Sequence, residues 1–209
     1  MNPPSRWIPA LTVSALLLSG CAAAAGSTAA PQAASSGQTS GAALGHHHGG
    51  GSTAPEPISQ KPTEAAAMVC GDEVKKDMAT RLGLPEAPHS ASTFKDQIYT
   101  CTYHMSEGDF VISVKETPSR EAAQTYFEAL RVEVPNATDI KGLENLGFPA
   151  YKNDAGSVVF LKDNMILHVN ATDIKTTVGP DHITPEAFAY QTATTILACW
   201  KEHPEQAAR

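Results

Sequence analysis

Apolar side chains recur every three or four positions in three stretches of the chain and alternate with polar ones in several others. Asp72 to Leu82 sets Val74, Met78 and Leu82 on one stripe and is followed by Gly83, a C-terminal stop. Thr117-Pro118 offers an N-cap and a first-turn proline for a second helix through Val132, whose Ala122, Tyr126, Phe127 and Leu130 share a face. Thr184-Pro185 repeats the device ahead of a third helix to Trp200, in which Phe188, Thr192, Ile196, Leu197 and Trp200 are spaced to pack.

Period-two segments lie between the helices. Ile98 to Met105 is joined by Ser106-Glu107-Gly108-Asp109 to Phe110-Val111-Ile112-Ser113-Val114, a hairpin with a glycine in its turn. Ser157 to Leu161 passes through Asp163-Asn164 to Met165-Val169, and a short strand at Phe148 to Lys152 precedes it. Strands joined by tight turns are antiparallel, and amphipathic helices between hairpins must cover a sheet face. The predicted class is therefore α+β: an antiparallel sheet of about four to five strands with three helices, in the order α-ββ-α-βββ-α.

This domain, Glu64 to His203, is preceded by two segments of different character and followed by a short tail, residues 204–209. Behind the single cation Arg6, Ile8 to Leu18 is almost wholly apolar and ends in Leu18-Ser19-Gly20-Cys21. A transmembrane helix needs about 20 apolar residues, and this shorter run also carries Pro9. It reads as a lipoprotein signal peptide spanning residues 1–20, with Leu18, Ser19 and Gly20 as its cleavage motif and Cys21 as the lipid-accepting residue. Two or more acyl chains at Cys21 would hold the mature protein on a membrane surface, the outer face of the cytoplasmic membrane.

Residues 21–63 form the second segment, built from Ala, Gly, Ser, Thr, Gln and Pro with almost no large apolar side chain. Such a composition cannot bury enough surface to offset its chain entropy and reads as a flexible stalk with a reach of about 35 Å. Within it stands His46-His47-His48, flanked by glycines. Imidazoles bind transition metals, but without an ordered surround these three make a weak site, and no cofactor is expected.

Charge narrows the partners. The chain has a formal net charge of −7, and cleavage of the signal removes Arg6 and no acid, which moves it to −8. Nucleic acid and anionic headgroups both favour a basic surface, so neither is expected as a partner. No G-x-S-x-G, H-E-x-x-H, Walker loop, G-x-G-x-x-G or C-x-x-C is present. His104 stands three residues from Cys101 and so on the opposite face of one strand. His168 shares a face with Ile166 and Asn170, and Asp173 to His182 is a polar connection rich in Asp and His.

The segments Val69-Cys70-Gly71-Asp72, Tyr99-Thr100-Cys101-Thr102-Tyr103, Gly142-Leu143-Glu144-Asn145-Leu146-Gly147 and Ala198-Cys199-Trp200-Lys201-Glu202-His203, behind a lipobox and a stalk, resemble uncharacterised actinobacterial cell-envelope lipoproteins with a cysteine-bearing domain of unknown function. That resemblance implies an antiparallel sheet with packed helices and carries no activity or active-site residues. The element order is also similar to small α/β/α sandwich lipoproteins of the PsbP-like kind, an analogy of fold alone.

With Cys21 lipidated, Cys70, Cys101 and Cys199 remain in an oxidising compartment, and three pairings of them exist. Cys70 begins the first helix and Cys101 sits in the first strand after it, so a bridge between these two can pin helix to sheet. Cys199 then lies toward the core of the last helix as a small hydrophobe. The functional expectation is a lipid-anchored extracytoplasmic protein that binds an envelope ligand or protein without catalysis. The alternative is an envelope hydrolase or metal-dependent enzyme, which would gather His104, His168, Asp173 and His182 around one pocket. Replacing the lipid acceptor, Cys21→Ala, should abolish lipidation and move the protein out of the membrane fraction. Cell fractionation with a high-salt wash checks this, and a variant that stays in the pellet would reveal another anchor.

Overall fold

Residues 60–202 are described by the computed structural model, and the signal motif, Cys21 and the three stalk histidines lie outside them. The chain enters the fold at Thr63, whose hydroxyl accepts the Ala66 N–H at 3.2 Å and caps a single helical turn, α1 (Glu64–Ala67). A 3-10 turn over Met68–Cys70 leads into α2 (Asp72–Leu82). Acids occupy the first turn of α2, Arg81 its last, and Gly83 closes it in the left-handed region at φ 67°.

Seven antiparallel strands follow, interrupted by one helix. They are β1 (His89–Lys95), β2 (Ile98–Met105), β3 (Gly108–Glu116), β4 (Thr138–Asp139), β5 (Ala150–Lys152), β6 (Ser157–Lys162) and β7 (Met165–Asn170). The helix α3 (Arg120–Glu133) connects β3 to β4, and α4 (Pro185–Glu202) ends the described chain. In the sheet the order is β1-β2-β3-β7-β6-β5-β4, so the two predicted hairpins meet along β3 and β7.

The α+β class stands, while the expectation of four to five strands is corrected to seven. Both additions are edge strands whose patterns carry little apolar signal. In β1 only Ser90 and Phe94 are half-buried and the other positions are exposed, so neither burial nor hydropathy alternates along it. The two residues of β4 are both exposed. The second helix also starts later than its Thr-Pro signal suggests. Ser119 is the N-cap, accepting the Ala122 N–H at 3.2 Å, because Thr117 is engaged elsewhere. Its hydroxyl lies 2.8 Å from the Asn164 carbonyl, its N–H donates to the same oxygen, and the Asn164 amide returns a bond to its carbonyl. At the third helix the signal holds, with Thr184 accepting the Ala187 N–H at 3.2 Å.

Helices cover both faces of the sheet to different extents. One face packs against α1, α2 and α4 around Trp200, Tyr103, Phe110, Phe160, Phe188 and Met78. The Phe110 and Phe188 rings approach to 4.6 Å between centroids. Full burial of such side chains contributes on the order of 1.5–3 kcal/mol each. The other face carries a smaller cluster in which Ala123 and Phe127 of α3 meet Tyr151, Val159, Leu161 and Ile166. That cluster reaches only β5, β6 and β7.

Residues 63–70 are bound to the body of the domain by bonds from distant elements. Glu116 accepts the Thr63 N–H, Trp200 donates to the Ala65 carbonyl at 2.9 Å, and the Tyr103 hydroxyl donates to the Val69 carbonyl at 2.9 Å. Cys70 and Cys101 are disulfide bonded, and Cys199 is buried on α4. No helix of the described residues is long and apolar enough to cross a membrane. Removing the bridge with Cys70→Ala and Cys101→Ala together should cost about 3 to 4 kcal/mol, the chain-entropy value for a loop of this length. Denaturant unfolding measures it, and an unchanged midpoint would mean that the three hydrogen bonds hold the segment unaided.

Candidate functional site

Since α3 covers only part of its face, it meets β3 only at one end, where Lys115 lies 5.5 Å from the centre of the Tyr126 ring, and its buried cluster takes no residue from the same side of β1, β2 and β3. The register lines its side chains into rows. Thr93, Thr100, Ser113 and His168 lie opposite one another across β1, β2, β3 and β7, and Ala91, Thr102, Val111 and Asn170 form the next row. Lys95 and Lys115 mark one end of this face, and His89, His104 and Asp109 the other. Thr93 and Ala91 are exposed and the interior members half-buried. Short hydroxyl-bearing side chains leave it flat and give it hydrogen-bonding groups at strand spacing, about 4.8 Å apart.

A polar pair marks the border where α3 begins to cover the sheet. The Ser157 hydroxyl lies 2.8 Å from Nε2 of His168. The two are diagonal neighbours on β6 and β7, since Ser157 faces Asn170 and Val159 faces His168. Burial pushes the His168 imidazole down to about 4, so the ring is neutral at physiological pH. From Ser157 the bonds continue outward: its N–H donates to Asn153 Oδ1 at 2.9 Å, and Asn153 Nδ2 donates to the Pro135 carbonyl at 3.1 Å, just beyond α3. This chain joins the middle of the sheet to the exit of the helix.

A serine hydroxyl on a neutral imidazole is the first half of a nucleophilic dyad. Two features argue against that use. Ser157 is 3% exposed, out of reach of a substrate, and among the described residues no carboxylate bonds the remaining ring nitrogen of His168. The other titratable residues singled out from the sequence are dispersed. His104 bonds Asp109 at the turn end of the β2–β3 hairpin, the Asp173 carbonyl packs against Gly108, and His182 lies in a turn closed by its N–H bond to the Gly179 carbonyl. Among the described residues no three His, Cys, Asp or Glu side chains are gathered to hold one ion.

A cleft of about 260 Å³ opens on the other side of α3, against β4 and β5, over a floor of Phe127, Ile140 and Ala150. Two of its charged groups, Arg131 and Asp139, pair with each other. Arg131 donates to Asp139 at 2.6 Å, which holds that carboxyl below its usual range, and lies 5.2 Å from the centre of the Tyr151 ring. Nearby Leu143 and Val132 are 95% and 87% exposed. Of the aromatics that could line a crevice, Tyr103 is fully buried, while Tyr99, Tyr126 and Phe148 are half-buried core side chains. Cys101 and His104 point to opposite faces, as three-residue spacing requires.

No protein-family model, curated protein or solved structure matches this chain. The geometry alone therefore identifies the site. Ser157 was within reach of sequence reasoning: counting back from the Asp163-Asn164 turn sets Leu161 opposite Ile166 and brings Ser157 diagonal to His168. His89 was not, because the strand that carries it gave no periodic signal.

Stability should depend on acid through His168. Its folded value lies below the ordinary histidine value of about 6.5, so between about 6.5 and 4 the unfolded chain binds the proton and the native one does not. Stability is full above that window and falls as pH drops through it, by up to about 1.4 kcal/mol per pH unit. Chemical denaturation from pH 7 to 4 reads this, and His168→Gln should flatten the profile between 6.5 and 5. A slope unchanged by that substitution would place the acid sensitivity elsewhere.

Proposed function

We propose that this chain is a non-enzymatic binding module of the cell envelope, lipid-anchored through Cys21 at the outer face of the cytoplasmic membrane and held off it by its stalk. The observation that carries the binding part is the bare half of one side of the sheet: the buried cluster of α3 packs on β5, β6 and β7 and leaves that side of β1, β2 and most of β3 open. The chemistry of that face selects the ligand class. Thr93, Thr100, Thr102, Ser113 and Asn170 offer donors and acceptors, whereas few apolar side chains stand among them, so hydrogen-bonding polymers such as glycans suit it better than acyl chains.

The alternative, an envelope hydrolase, rests on the Ser157 and His168 pair. It lacks an orienting acid among the described residues, and it would need Ser157 to become exposed.

Methyl-labelled threonine spectra distinguish the two readings. Titration with soluble envelope glycan fragments should shift the signals of Thr93, Thr100 and Thr102, and lipid vesicles should leave them in place. Shifts confined to the cleft beside Ile140 would move the binding site there. Ester, peptide or glycoside turnover that disappears in Ser157→Ala, with the melting temperature unchanged, would replace the binder by the hydrolase.

A further inference from the structure

We infer that His89 and His104 form a chelating site for a late first-row divalent metal ion, with Asp109 as the group that orients it. His89 on the edge strand β1 and His104 on β2 are direct cross-strand partners, and both side chains lie on the open face. Their ring centroids are 5.8 Å apart with planes inclined by 19°. A metal bound at a Zn–N or Cu–N distance of about 2.1 Å lies about 3.2 Å from each imidazole centre, so two rings sharing one ion have centres about 5 to 6 Å apart. The observed separation falls in that interval, and because a metal lies in the plane of each ring it binds, the two stacked and exposed rings reach one ion by turning about their Cβ–Cγ bonds.

The carboxylate supplies the second half of the site. Asp109 Oδ1 lies 2.8 Å from His104 Nδ1. A carboxylate accepts only, so Nδ1 carries the proton and the neutral ring keeps its lone pair on Nε2, the nitrogen left for a metal. This is the carboxylate–histidine arrangement that holds ring orientation and raises ligand basicity in metal sites. No other hydrogen bond or ion pair of the His89 ring is present among the described residues, so nothing competes for its nitrogens. His104 is 48% and Asp109 44% exposed as side chains, which lets an ion arrive with its water and keep it. Two imidazoles and water suit nitrogen-preferring ions, and the Irving–Williams order makes copper(II) the tightest, with zinc and nickel weaker and manganese or magnesium excluded.

The test uses the full chain with His46, His47 and His48 all replaced by alanine, which removes the competing imidazoles of the stalk. Copper(II) chloride titrated by calorimetry should bind at one equivalent, with zinc weaker and magnesium silent. His89→Ala or His104→Ala should weaken copper binding by more than tenfold, and Asp109→Asn by about tenfold through lost orientation. All three positions are on the surface, so the metal-free melting temperatures should match the parent. A parent with no copper-induced rise in melting temperature, or binding indifferent to His89→Ala, would overturn the site. Binding that survives Asp109→Asn undiminished would overturn the role of the carboxylate.

Discussion

Residues 63–70 hold no strand and bring only Ala65, Ala66 and Val69 to the buried core, yet the arrangement of the domain depends on how their backbone is bound. Glu116 at the end of β3, Tyr103 on β2 and Trp200 near the end of α4 each take one backbone group of this segment, and Cys101 takes its last side chain. A buried carbonyl with no partner costs about 1 to 3 kcal/mol, so each bond fixes its element relative to the others and not merely to the segment. Once α1 and the 3-10 turn are placed, α4 can lie only along β6 and β7, and its Phe188 meets Phe110 over the middle of the sheet. The first face is then closed, and the single remaining helix has to serve the second.

That imbalance gives the site its character. One helix of 14 residues is too narrow for seven strands: its buried apolar side chains reach Ile166 on β7, and past that Tyr126 meets Lys115 on β3. Beyond that line the sheet has residues suited to partial exposure: threonine, serine and short aliphatics in place of phenylalanine and leucine. His168 and Ser157 stand on the boundary, where a polar pair can satisfy itself while half covered. The same exposure leaves His89 on the edge strand β1 and His104 on its neighbour β2 free to approach one another.

Helix boundaries set by local chemistry were legible in the sequence: Gly83 after α2 and Thr184-Pro185 before α4 act within a few residues of themselves. The two central hairpins were legible too, because β3, β6 and β7 alternate or run apolar as buried strands do. What sequence could not show depends on tertiary context. Thr117 looks like a cap until Asn164 arrives from the next hairpin to occupy it, and the helix slips to Ser119. His89-Ser90-Ala91-Ser92-Thr93 is indistinguishable from a polar loop until β2 pairs with it. The disulfide was legible as one of three pairings, and the nearness of Cys70 to the first strand system favoured the one observed.

The placement of Glu116 and Cys101 also bears on mechanical load. A pull on the chain ahead of Thr63 is transmitted through Glu116 to β3 and through the Cys70–Cys101 bond to β2, both interior strands of the sheet. An edge strand would peel from its single neighbour one ladder bond at a time. An interior strand is held on both sides, so its bonds must yield together, and the edge strands β1 and β4 are spared. The open face can therefore stay in shape while the chain that leads to it is under tension.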